Sequence, residues 1–154
     1  MIKFLLIAGL LGLAGVMFYV RLAPSDPAEW HVDPRAIPKP DKPNHWLIRP
    51  VGGDARPENY ARDARGLAED FDAVARESPR TELVAGSVAA GHMTYLTRSP
   101  WMGFPDYTSI RVYSTETGAS YAAFARSRFG GNDWGTNRER LEDWVSRVRM
   151  RLER

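Results

Sequence analysis

The sequence predicts an α+β domain carried behind an N-terminal transmembrane helix. Three observations carry that prediction. The seventeen residues from Phe4 to Val20 contain no charge. Eight prolines fall between residues 22 and 57. Beyond them, two stretches with apolar residues at helical spacing bracket four runs of β character. The implied divisions are a transmembrane anchor over 1–21, a proline-rich linker over 22–57 and a globular α-ββββ-α domain over 58–154. Within that domain an antiparallel sheet has helices on one face. The sheet has four strands, or five if "HWLIR" adds an edge strand.

The anchor comes first. "FLLIAGLLGLAGVMFYV" lies between Lys3 and Arg21, and as a helix it extends roughly 26 Å, enough for a bilayer core. A cleavable signal has a shorter apolar region followed by small residues, whereas "FYVRLAP" offers bulky ones. The reading is an uncleaved, single-pass anchor. Lys3 and the α-amino group favour keeping the short tail in the cytoplasm. The domain is then extracytoplasmic, periplasmic in a Gram-negative cell.

In the linker, Pro24, Pro27, Pro34, Pro38, Pro40, Pro43, Pro50 and Pro57 preclude an internal helix or a central strand. A semi-extended spacer is expected. Trp30 and the Trp46-Leu47-Ile48 cluster are unusual for a spacer and should pack on something.

The first soluble helix is expected over Asn59–Ser78, with Tyr60, Leu67, Phe71 and Val74 on one face and Pro79 ending it. The strands are "TELVAGSV", "HMTYLTR", "YTSIRVYS" and "ASYAAFARSRF". "TETG" between the last two suits a hairpin in which Gly118 takes a positive φ. The closing helix, Thr136 to about Leu152, presents Leu141, Trp144, Val145, Val148 and Leu152 as one stripe.

Composition narrows the function. Net charge is +2, with acids interspersed among the 18 arginines, so no nucleic-acid footprint is indicated. There is no cysteine, which excludes disulfides and thiolate chemistry. His31, His45 and His92 do not form a metal-ligand pattern. No metal and no cofactor are expected.

The segment "RSRFGGNDWGTNRERLEDW", Arg126 to Trp144, is the most distinctive. Thr136 and Glu139 have the spacing of a capping box, with Asn137 a rival cap. Gly130 and Gly135 supply turn conformations. Arg126 and Arg128 share a strand face by parity, and Arg111 joins them if the hairpin aligns it with Arg126. Guanidiniums beside a helix N-terminus suit an anion. The candidate ligand-binding set is therefore Arg111, Arg126, Arg128, Asp133, Asn137 and Arg138. The competing arrangement pairs the arginines with Asp106 and Asp133. Replacing Arg126 and Arg128 should spare the fold, whereas Gly135→Val should impair it. A second candidate is an aromatic wedge of Trp101, Met102 and Phe104, suited to lipid or a protein partner unless it folds back over the open sheet face.

These residues also carry a resemblance. "YLTRSPWMGFPDYTSIRVY" followed by "ARSRFGGNDWGTNRERLEDW" resembles the uncharacterised family catalogued as domain of unknown function 1499. Its members share a Gly-aromatic-Pro-Asp step and an Arg-Ser-Arg-x-Gly-x-x-Asp-x-Gly-x-Asn-Arg pattern. That pattern falls on Arg126, Ser127, Arg128, Gly130, Asp133, Gly135, Asn137 and Arg138, and the likeness extends over about Pro43 to Val148. It implies the element order and the domain limits, and no activity.

The function expected is binding at the membrane, of an anionic small molecule, a lipid or an envelope protein. One alternative is a hydrolase-like enzyme using Asp106 or Asp133 with arginines as oxyanion stabilisers. The other is a purely structural envelope-assembly module with its arginines locked in ion pairs.

Overall fold

The computed structural model describes residues 1–153; Arg154, the last residue of the expected domain, lies outside the described residues. Helix α1 spans Ile2–Leu22. Among the described residues it is the one helix long and apolar enough to cross a membrane. A short α2, Pro27–Trp30, follows, capped by the Asp26 carboxylate accepting from the Ala28 amide. The domain then runs β1 (His45–Ile48), β2 (Asn59–Tyr60), α3 (Ala64–Glu77), β3 (Thr81–Ser87), β4 (His92–Arg98), β5 (Pro105–Thr115), β6 (Gly118–Ser127) and α4 (Thr136–Leu152).

The fold is α+β. One antiparallel sheet has the order β1-β6-β5-β4-β3, and β2 also pairs with β6. "HWLI" is indeed an edge strand, with Trp46 opposite Ala125. The β5–β6 hairpin turns through Glu116 and Thr117, with Gly118 at φ 147°. A Cβ at Gly118 would stand 2.0 Å from the Tyr60 carbonyl oxygen, so β2 can approach β6 only because this residue is glycine.

Helices α3 and α4 cover one sheet face. Leu67, Phe71 and Val74 of α3 and Leu141, Trp144 and Val148 of α4 are fully buried there, against Tyr95, Ile110 and Tyr121. Each such side chain contributes about 1.5–3 kcal/mol relative to exposure. The expected stripe on α4 is the observed one, with Val145 and Leu152 partly buried at its margin.

Helix α3 starts later than the expected Asn59. The Asp63 carboxylate caps it by accepting from the Gly66 amide. Asn59 and Tyr60 are claimed instead by pairing with Ser120 and Ala119 of β6. A sheet edge offering free backbone groups outcompetes a helix extension that would lack a cap.

The larger departure concerns the proline-rich segment. Its part between Pro24 and Ile37, expected as a spacer, lies across the sheet face opposite the helices. The Trp30 ring stacks on Tyr107 with centroids 3.9 Å apart. His31 stacks on His92 at 3.7 Å. Tyr107 Oη and Ser25 Oγ are hydrogen-bonded at 2.7 Å. Proline excludes this segment from the ladder, yet its aromatic side chains cover Tyr107 and His92 on that face. The aromatic loop does not perform that closure.

Candidate functional site

Antiparallel pairing determines which arginines share a face. Arg126 stands opposite Tyr107, whereas Arg111 stands opposite Ala122. Both point away from α3 and α4, as does Arg128, but the register separates Arg111 from Arg126 rather than aligning them.

Arg126 is 8% exposed. Its Nη1 donates to Ser109 Oγ at 3.1 Å and to the Phe124 carbonyl at 3.2 Å, and its Nη2 donates to the Trp30 carbonyl. Its guanidinium lies over the Phe124 and Trp30 rings, 4.7 and 5.4 Å from their centroids. Among the described residues no carboxylate pairs with it within 4.0 Å. Burial pulls its pKa down to about 10, so it remains cationic at neutral pH. This cation is consumed by the chain itself, holding the Trp30 segment to the sheet.

Arg128 serves the same junction. Its Nη1 donates to the Pro24 carbonyl at 2.7 Å, and it lies over Trp30 and Phe129. Arg111 is half-buried and stands 3.9 Å from the Asp33 carboxylate.

The expected pairing of these arginines with Asp106 and Asp133 does not occur. Asp106 lies on the helix-covered face, where Arg140 Nη2 donates to it at 2.8 Å. Asp133 caps α4: its carboxylate accepts from the Gly135 amide at 3.1 Å and the Asn137 amide at 3.0 Å. The expected capping box of Thr136 and Glu139 is thereby displaced; the cap position is Gly135, at φ 85°, without a side-chain cap of its own. Both carboxylates on which the hydrolase alternative depended are engaged.

Asn137 is fully buried and links three elements. Its Nδ2 donates to the Asn44 carbonyl at 3.2 Å and to Ser127 Oγ at 3.0 Å, while its Oδ1 accepts from Arg140 at 2.7 Å. Asn44 in turn donates to the Gly130 carbonyl at 3.0 Å. Arg138 lies 4.9 Å from the Trp46 ring centroid and pairs with Glu142. The distinctive motif is thus spent on joining β6, β1 and α4.

The aromatic loop differs. Trp101 is 86% exposed, whereas Met102 and Phe104 are half-buried. Trp134, in the loop between β6 and α4, is 88% exposed and holds φ 54°, a left-handed conformation costly for a bulky residue. Both loops leave the same end of the sheet. The C-terminal end of α1 docks there too: Arg21 Nη2 donates to the Trp101 carbonyl at 3.1 Å, and Tyr19 meets Phe129 edge-on.

Beside that dock lies a feature missed in the sequence, an open cleft of about 700 Å³ between the start of β3, the end of β4 and Arg21. Arg80 Nε donates to the Arg98 carbonyl at 3.0 Å and Arg98 Nη1 to the Gly103 carbonyl at 3.2 Å. Arg21, Arg80 and Arg98 are separated by up to 77 positions in sequence, so no local pattern announces them.

A family model described as a protein of unknown function, DUF1499, matches residues 28–148. No curated protein matches the chain.

Proposed function

Because the chain belongs to the DUF1499 family of proteins of unknown function, its own residues must carry the reading, and we propose that it is a membrane-anchored binding domain working at the extracytoplasmic membrane surface. Its ligand is anionic or lipidic. One observation carries this reading: α1 docks on the sheet end that bears the exposed Trp101. With α1 across a bilayer, that end lies at the interfacial layer, where tryptophan is at home. Trp134 emerges from the same end. The apolar length of α1 supports a span, and Lys3 ahead of it supports a cytoplasmic tail.

Protease protection of the full chain in native membrane vesicles tests the anchoring and the side. Alkaline extraction should leave the chain in the membrane pellet. Protease should digest the C-terminal domain only in vesicles that expose the extracytoplasmic face. Release by alkali, or digestion only from the cytoplasmic face, would refute the reading.

A further inference from the structure

The cleft between Arg21, Arg80 and Arg98 is the strongest unassigned feature of the molecule. Its volume of about 700 Å³ lies within the range of small-molecule sites. Among the described residues, none of the three guanidiniums has a carboxylate within 4.0 Å. Each is held by a backbone carbonyl: Arg21 by Trp101, Arg80 by Arg98 and Arg98 by Gly103. A guanidinium carries five N–H donors, so these single tethers orient the groups and leave most donors for a ligand. Arg76, also on the wall, is already matched by Asp72 at 2.7 Å.

Arg80 adds an independent sign. Its φ of 55° lies in the left-handed region that glycine occupies without cost and other residues avoid. The reciprocal bonds that hold it are Arg98 N–H to the Arg80 carbonyl and Arg80 Nε to the Arg98 carbonyl, both 3.0 Å. Glycine would satisfy the backbone more easily. What arginine adds at this position is a cation on the cleft wall, and strained residues of this kind concentrate at functional sites.

We propose that this cleft binds the phosphate of an anionic membrane lipid headgroup, a refinement that rests on the membrane-surface reading above. Planar guanidiniums present paired donors that match phosphate oxygens. Arg21 fixes the source as the bilayer, because it closes the last turn of α1 and lines the cleft at once. Net charge sets the class of lipid. A choline headgroup would bring its ammonium among three cations, with Glu82 the one carboxylate on the wall among the described residues; a headgroup of net negative charge has no such conflict.

Native mass spectrometry of the full chain in detergent, titrated with phosphatidylglycerol, phosphatidylcholine or glycerol 3-phosphate, tests this. A phosphatidylglycerol adduct should form, and it should weaken about tenfold or more for each of Arg80→Gly and Arg98→Ala, the effect of losing a charge-assisted hydrogen bond. Arg65→Ala, which removes an exposed cation paired with Glu69, should leave it unchanged. Arg80→Gly should also keep a melting temperature near the parent's, because relief of the left-handed φ offsets the lost bond to Arg98, which separates loss of binding from loss of fold. Equal adducts with phosphatidylcholine, equal binding by the arginine variants, or no adduct would overturn the proposal. Glycerol 3-phosphate binding as tightly as the lipid would overturn the bilayer as the source. None of these readouts depends on how α1 crosses a bilayer, so failure here leaves the anchoring intact, and failure of the anchoring is read by protease protection.

Discussion

Arg126 illustrates how burial changes the meaning of a residue. In the sequence it reads as a ligand-binding cation whose removal spares the fold. Buried against Ser109, Phe124 and Trp30, it instead joins the proline-rich segment to the sheet. Truncation would remove its donors and strand their acceptors. Arg126→Ala should therefore destabilise the protein by about 2–4 kcal/mol in urea denaturation. Arg126→Lys should recover little of this, because an ammonium cannot reproduce the fork that reaches two carbonyls and a hydroxyl. A variant as stable as the parent would mean that the segment does not depend on Arg126. The sequence places Arg126, Arg128, Gly130, Asp133, Gly135 and Asn137 in one motif. It did not reveal their partners: Asp133 accepts from the Gly135 and Asn137 amides, a matter of turn geometry, while Arg126 and Arg128 donate to the Trp30 and Pro24 carbonyls of a segment far away in sequence.

At the scale of elements, the alternation in "HMTYLTR" and "SIRVY" and the stripe on α4 are local patterns, and each became the expected strand or helix. Register is different. It depends on where the hairpin turns and on which edges close, and it placed Arg111 opposite Ala122 and Asp106 beneath α4. The docking of Trp30 and His31 was illegible for the same reason: proline rules out ladder pairing but says nothing about where side chains settle. That docked segment carries a pH dependence. The stacked His31 and His92 have pKa values lowered from 6.5, first by desolvation, with Arg111 adding to the effect on both and each also near other charges: His92 and Arg126 for His31, Asp33 and Arg35 for His92. The folded form then binds fewer protons than the unfolded chain in mild acid. Its stability is full above 6.5 and falls as the pH drops below that value. Urea midpoints measured from pH 7.5 to 5 should fall, and His31→Phe should flatten the fall. A profile unchanged by that substitution would remove the imidazole pair from the account.

At the scale of the whole molecule, the two faces of the sheet are closed by different parts of the chain. The helix-covered face is apolar core, and the opposite face is closed by the segment that leads out of α1. The end of the sheet that carries the exposed Trp101 and Trp134 also carries the arginine cleft, and α1 docks against it. The apolar span was legible from composition alone; its docking on this end was not, since Arg21 reads in sequence only as a flank of the span. The most direct test is fluorescence quenching of the full chain reconstituted in vesicles whose lipids carry bromine near the carbonyl end of the acyl chains. The proposed placement of Trp101 at the interface predicts strong quenching of the parent and a clear loss of the quenched component in Trp101→Phe. Emission from the parent that bromine does not quench, or quenching undiminished in the variant, would contradict a domain held with this end against the bilayer.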